Sequence, residues 1–426
     1  MWAGGDAAEV IDATGLTVMP GIVDIHFHVR APAYPERGTV QSETRAAAAG
    51  GVTTIFEMPI SKPCCSTPQE VANRRDHFAE NAVGNFALIA AMGDLTAASR
   101  DAMIAEGAVA FKIFTTPAPV GREDEFGGLS FPGEADQLAA LKLALQTDKV
   151  LIVHAESADL LAAAEARATK LDPADPSTHQ AAPPAICETV AVAKLLAMNV
   201  EAQARLHIAH VTSAGTVKVL GAFAGTSPFT AETCPQYLFS TSDDVAKAGI
   251  YAKVNPPIRG KADQDTLWQA IADGVIIFVT TDHAPFAKAE KQEAEGNFLK
   301  APPGVPGIEI MLPAMLDAVA QGRFTLDEAH RLMCSNGTRL HGLYPHKGAI
   351  MPGSDADIVL VDLKAETVIS ADMLHSHARD VAHLFDGRKF QGRVRRTIVG
   401  GITVFLNGEV TGQPGHGRFV RTDQTT

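Results

Sequence analysis

Positive charge is in short supply in this sequence. Its 36 Lys and Arg face 49 Asp and Glu, so the 426-residue chain carries a formal net charge of −13. Such a balance gives no general electrostatic pull toward nucleic acid or anionic lipid, and neither is expected as a partner. Cysteine is scarce too: there are five, an odd number, with Cys64 and Cys65 adjacent and the rest scattered. Without a CxxC pair or an even framework, they read as structural thiols in a reducing compartment. No apolar run reaches the ~18 residues of a membrane span. The opening MWAGGDAAEV lacks a basic segment followed by an apolar core, so no secretory leader is expected and the location is read as cytoplasmic.

What is present is a soluble globular chain, 46% hydrophobic and 20% charged. Eight short runs, nearly continuous in apolar residues, punctuate it: Ile22–His28, Val52–Met58, Phe86–Met92, Ala108–Phe114, Val150–His154, Leu206–His210, Phe229–Thr233 and Val275–Thr281. Runs of that kind suit parallel strands covered on both faces. Between them lie Ala-rich helical stretches such as Ser42–Ala49, Pro68–Glu80, Ala135–Leu145 and Thr189–Met198, the first stopped by Gly50-Gly51. An open doubly wound sheet would want a glycine-rich phosphate turn after an early strand, and none of the eight runs has one. The pattern therefore predicts an α/β fold, a (β/α)8 TIM-type barrel.

The flanks differ in character. Lys347–Asp362 and Arg395–Asn407 read as short strands between turn residues, and Val10–Met19 is strand-like. A small β-sandwich domain built from both chain ends is the expectation: residues 1–19 as its N-terminal strand, 20–344 as the barrel, and 345–426 as the C-terminal part. The polar, glycine-rich stretch Thr411–Thr426 is read as a loose tail. With only 19 residues ahead of Pro20, the N-terminal share is thin, and a start late in the natural gene product, leaving an exposed sheet edge, is expected.

In barrels the chemistry sits at the C-terminal ends of the strands. The first run ends in Asp24-Ile25-His26-Phe27-His28, which puts two imidazoles on one strand face. Lys112 lies in the fourth run; His154, His210 and Asp282 end or follow the fifth, sixth and eighth. Imidazole and carboxylate suit Zn2+, Mn2+ or Fe2+ at a hydrolytic site, and two metals about 3.5–4 Å apart could clamp an attacking hydroxide and a substrate oxygen. A lysine among them looks wrong until it is buried. A neutral amine can take up CO2, and the resulting carbamate supplies two anionic oxygens. His207 shares a run with His210 at a spacing that turns the two to opposite faces, and spacing does not say which turns inward. His283, directly after Asp282, is either a supporting residue or a bystander.

These motifs, with Ala48-Ala49-Gly50-Gly51-Val52-Thr53-Thr54, Glu232-Thr233-Cys234-Pro235-Gln236-Tyr237 and Asn255-Pro256-Pro257-Ile258-Arg259, resemble the amidohydrolase superfamily over nearly the whole chain. Within it the chain resembles the cyclic amidohydrolases: dihydroorotase, allantoinase and hydantoinase. The resemblance implies two divalent metal ions, zinc foremost, with His26, His28 and Asp282 on one, His154 and His210 on the other, and carboxylated Lys112 between. It implies ring opening by a metal-bridging hydroxide with Asp282 as general acid and base. It also implies that Asn255 contacts the ring, and that the chain forms a homodimer or homotetramer.

The ring itself is harder to read. Arg30, two residues past His28, suits a substrate carboxylate in dihydroorotase fashion, unless it pairs with Glu36 or Glu57. Ile60 and Phe286 replace the polar residues a dihydroorotase would place there, and the usual hydantoinase tyrosine after Lys112 is missing. A small cyclic amide is expected, with a dihydroorotase-like but altered pocket involving Arg30, Ile60, Asn255 and Phe286. The alternatives are a neutral hydantoin or allantoin ring, or a non-catalytic scaffold. Ala284–Gly307, long and charged, is either a lid or a plain surface excursion.

Overall fold

The computed structural model describes residues 9–422. Eight strands run parallel in one sheet, in chain order: β2 (Ile22–Phe27), β3 (Val52–Glu57), β4 (Asn85–Ala91), β5 (Ala108–Phe114), β6 (Val150–His154), β7 (Leu206–Ile208), β8 (Phe229–Thr233) and β9 (Phe278–Val279). Every residue of β2, β3, β4 and β6 is buried, as continuous apolar runs require when the sheet is covered on both sides. The sheet curls until its ends meet. Phe27 bridges His283 in parallel, and the His28 N–H donates to the His283 carbonyl at 2.9 Å. The predicted (β/α)8 barrel is therefore the fold, with helices around it.

The helices start where local chemistry allows. Pro68–Asn81 opens on Thr67, whose Oγ1 accepts the Glu70 N–H at 3.2 Å, with Pro68 at the first turn where no amide donor is needed. Val40–Ala49 stops at Gly50-Gly51. Gly51 sits at φ +80°, and a Cβ there would lie 2.7 Å from Leu312 and 2.9 Å from Val359, so both conformation and space demand glycine. The apolar helix Ala185–Ala202, within a stretch long and apolar enough to cross a membrane, packs between Glu134–Leu145 and Ala214–Phe223 in the ring around the barrel.

The second sheet is antiparallel and drawn from both ends of the chain. Its order is β1 (Thr17–Pro20), β10 (Ile358–Val368), β11 (Lys389–Val399), β12 (Ile402–Leu406) and β13 (Glu409–Val410), with Met19 opposite Val359. One sheet, backed by the barrel helix Met311–Ala320, takes the place of two facing sheets; Gly392 of β11 passes so close that a Cβ would meet Leu316 at 2.7 Å. Of the strand expected over Val10–Met19, only Thr17 onward pairs; residues 1–8 lie outside the described part.

Of the tail expected to be loose, residues 423–426 lie outside the described part, and the rest is docked. Over residues 411–422 it returns to the barrel, where the Arg418 carbonyl accepts the Phe86 N–H at 3.0 Å and the Val420 N–H donates to the Phe86 carbonyl at 2.8 Å. Phe419 rests on Phe86 at 5.4 Å between ring centroids. Composition alone hid this, because a polar segment with one well-placed aromatic can still add a bridge to a strand end.

Candidate metal centre

The side chains predicted to ligate metal converge at the C-terminal ends of β2, β5, β6 and β7 and in the segment after β9. Asp282 Oδ1 lies 3.3 Å from His26 Nε2 and 3.2 Å from His28 Nε2. His154 Nδ1 and His210 Nε2 stand 3.0 Å apart, and the ring centroids of His26 and His210 are 5.5 Å apart. One donor atom from each of His26, His210 and Asp282 falls within 4.8 Å of the others. Lys112, 1% exposed on β5, completes the group: its Nζ has no hydrogen-bond partner.

Burial pushes Lys112 down to about 8, against the raising charges of Glu232 and Asp282. An amine so placed is partly neutral near physiological pH, the form that reacts with CO2. Burial likewise lowers His28 to about 3, so its ring is neutral and offers a lone pair. Burial opposes the charge on Asp282, but His26, His28 and His210 outweigh it and hold the carboxyl well below its ordinary range. The backbone pays attention to geometry here as well: His210 and Asp282 are non-glycine residues at φ +36° and +45°. Conformations of that kind cost about 1–3 kcal/mol each and persist where the surroundings fix them. Because β7 ends at Ile208, strand alternation no longer governs His210, which resolves the choice between the two histidines of that run. His210 meets His154, while His207 places Nδ1 2.7 Å from Thr230 Oγ1.

Three carboxylates that the sequence reading left without a role support this set. Glu232 takes His26 Nδ1, and its Oε2 lies 3.1 Å from His207 Nε2. Glu156 Oε2 is 2.9 Å from His154 Nε2. Asp24 accepts the Thr281 hydroxyl at 2.5 Å and the His26 N–H at 3.3 Å. An acid inside an apolar strand, or two residues after a candidate ligand, was the available signal. His283 points away from the set: its Nε2 is 2.9 Å from Glu43 Oε2, its Nδ1 accepts the Gly307 N–H at 3.1 Å, and its ring stacks on Phe27.

Of the predicted substrate residues, Arg30 and Phe286 pack on each other, whereas Ile60 sits in a separate apolar cluster and Asn255 is exposed. Arg30 does not continue the strand face of the histidines, because β2 ends at Phe27 and Arg30 sits at φ +63°. Its guanidinium lies over the Phe286 ring at 4.8 Å and its Nη1 donates to the Pro285 carbonyl at 3.3 Å. Glu57, offered as an ion-pair partner, instead accepts the backbone N–H groups of Val29 and Arg30 at 2.8 and 3.0 Å. Phe286 is buried, with Arg37 on it at 4.7 Å as well. Ile60 belongs to a small apolar cluster with Cys64, Ala91, Phe126 and Leu129. Phe114 packs on that cluster and stacks on His154 at 4.4 Å. Asn255 is exposed in the segment between β8 and β9. Ala284–Gly307 is pinned down rather than free: Lys291, fully buried, donates to the carbonyls of Pro302 and Gly304, each at 2.8 Å.

Comparison with known proteins places this geometry. The model of the "Amidohydrolase family" matches residues 17–404. An allantoinase of Rubrobacter xylanophilus is 34% identical over 420 residues, covering 98% of this chain and 90% of the relative. A D-hydantoinase of Streptomyces coelicolor is 31% identical over 427 residues, covering 97% and 88%. Among solved structures, an L-hydantoinase (dihydropyrimidinase) from Arthrobacter aurescens superposes with a TM-score of 0.92 at 30% identity, over 98% of this chain and 92% of that one. A fold, a rim of histidines and a family match that agree over nearly the full length leave one assignment: the chain belongs to the amidohydrolase family, in its cyclic amidohydrolase group.

Proposed function

We propose that this protein hydrolyses the C–N amide bond of a small cyclic ureide or imide whose ring is neutral, in the manner of a hydantoinase or allantoinase. The observation that carries the reading is the convergence of four histidines and Asp282 on the rim where β5 carries the buried, unpartnered amine of Lys112, whose charge is felt by Asp282 and His210.

That amine is also the test of fit for a two-metal centre. The buried amine has no hydrogen-bond partner, whereas its carbamate would supply two anionic oxygens as metal ligands. His26, His28 and Asp282 would hold one divalent ion, His154 and His210 the other, with carboxylated Lys112 shared; an imidazole-rich set of this kind suits zinc. Such ions supply Lewis acidity and an activated water at neutral pH.

The chain's own part is orientation and proton transfer. Asp282 Oδ1, 3.3 and 3.2 Å from the Nε2 atoms of His26 and His28 and poor at keeping a proton, accepts one from the attacking water and returns it to the departing ring nitrogen. Arg30 favours a neutral ring over an anionic one. It is buried, its Nη1 bonds to Pro285 and its plane lies on Phe286, so it is engaged within the protein. A dihydroorotase-like pocket would need that guanidinium for the substrate. A scaffold without catalysis is disfavoured because every ligand position is filled.

The experiment is turnover by protein reconstituted with zinc and bicarbonate, offered hydantoin, dihydrouracil, allantoin and dihydroorotate. Ring opening of a neutral member is the expected result. Efficient opening of dihydroorotate alone would restore Arg30 as a carboxylate anchor, and cleavage of acyclic amides only would overturn the proposal. A cytoplasmic homodimer or homotetramer completes the reading, supported by five free buried cysteines and the family resemblance; light scattering on the purified protein checks the assembly.

A further inference from the structure

We propose that Glu232 is a positioning residue whose single carboxylate fixes both halves of the metal centre at once. The inference rests on the two-metal reading above and concerns what holds the ligands in place.

Glu232 lies near the end of β8 and is 1% exposed. Its Oε1 takes two donors that belong to different parts of the site: the ring Nδ1 of His26 and the backbone N–H of His210, the latter at 3.3 Å. Its Oε2 lies 3.1 Å from Nε2 of His207, itself fully buried and held through Nδ1 by Thr230 Oγ1 at 2.7 Å. The carboxylate thus holds hydrogen-bond donors on Oε1 and has an imidazole nitrogen beside Oε2.

Two consequences follow for the ligands. A neutral imidazole has one N–H and one lone pair. With Nδ1 of His26 donating to Glu232, the lone pair sits on Nε2, the atom that faces Asp282 at 3.3 Å. That is the tautomer a metal ligand needs. His210, meanwhile, occupies a left-handed conformation at φ +36° that a residue with a side chain resists. Its N–H donates to the same Glu232 oxygen, which ties that backbone turn to the His26 ring. One oxygen therefore orients the side chain of a ligand to one metal and the main chain of a ligand to the other.

Glu156 provides the internal contrast. Its Oε2 is 2.9 Å from His154 Nε2, which leaves Nδ1 of His154 as the ligand atom beside His210 Nε2. It reaches one ligand only. Removing Glu156 should loosen one metal, and removing Glu232 should loosen two.

The test is zinc binding to metal-stripped protein, read by competition with a chelator in the presence of bicarbonate, for wild type, E232Q and E156Q. Carboxylates that orient metal-bound histidines are worth about 10–100-fold in affinity. E232Q should therefore weaken both zinc sites at least about 10-fold, and E156Q one site by a similar factor. The apo melting temperature is recorded alongside, because a merely structural role would lower it and leave the zinc affinities alone. E232D keeps the charge but withdraws it by one methylene, and it should also weaken both sites; it carries the test if E232Q does not fold. Wild-type zinc affinity at both sites in these variants, or loss at one site only, overturns the inference. Fewer than two zinc ions on the wild-type chain would instead overturn the two-metal reading, and the inference with it.

Discussion

Replacing Lys112 with methionine should stabilise the metal-free protein while removing the bridge on which the proposed second metal depends. The argument starts from an amine that is 1% exposed and without a hydrogen-bond partner. Burial, opposed in part by Glu232 and Asp282, lowers its pKa from 10.5 to about 8. At about 1.4 kcal/mol per unit, holding the charged form inside costs roughly 3 kcal/mol. The sign follows from proton counting. Between about pH 8 and 10.5 the unfolded chain binds a proton that the folded chain lacks, so stability rises with pH through that window. The penalty is fully present below pH 8 and is gone above 10.5. Methionine fills similar space without the charge. The assay is urea unfolding of metal-stripped wild type and K112M in CO2-free buffer at about pH 7 and about pH 10. K112M should be more stable by up to about 3 kcal/mol at the lower pH and by under about 1 kcal/mol at the higher. An equal difference at both would refute the reasoning, since it would mean that the charge of Lys112 costs the fold nothing.

Three further outcomes are expected. D282N should weaken zinc at one site by at least the about 10–100-fold that an orienting carboxylate is worth, and at saturating zinc should still lose about 10²–10⁴-fold in kcat for lack of a proton carrier; a kcat within a few-fold of wild type would remove Asp282 from that role. R30M should lower the melting temperature by dismantling the stack on Phe286, and should leave kcat/KM for neutral rings within a few-fold; a selective loss for one ring with an unchanged melting temperature would make Arg30 a substrate residue. G51A should destabilise the protein by about 2–4 kcal/mol in equilibrium unfolding, because φ +80° and contacts of 2.7 and 2.9 Å combine strain with overpacking; a change under about 0.5 kcal/mol would show that Leu312 and Val359 yield freely.

The barrel was legible because its strands are nearly continuous apolar runs, and all eight end within two residues of where the runs end. β9 differs at its start: it is just Phe278–Val279, three residues inside the run that begins at Val275. The clustering of the candidate ligands was legible for the same reason: a charged or imidazole side chain at the end of an apolar strand has few explanations. What stayed hidden depends on chain segments far apart. Glu43 reaches His283 from 240 residues away and also accepts the Ser376 hydroxyl at 2.6 Å, tying the segment before β11 to the residue beside Asp282. Glu232 joins His26 across 206 residues. Arg30 was misplaced by a local cause, because its left-handed backbone breaks the alternation that a strand would have imposed. The docked tail was missed because Phe419 is the only large aromatic in a stretch otherwise rich in glycine and polar residues.

The central claim is that ring opening depends on two metals joined through carboxylated Lys112. Zinc content and turnover of the best neutral ring, measured together as bicarbonate is added to metal-stripped protein supplied with excess zinc, test it most directly. The account predicts that activity rises with the second equivalent of zinc per chain, that this equivalent binds only with bicarbonate present, and that K112M never acquires it. Full activity with one equivalent of zinc, or in K112M, would contradict it.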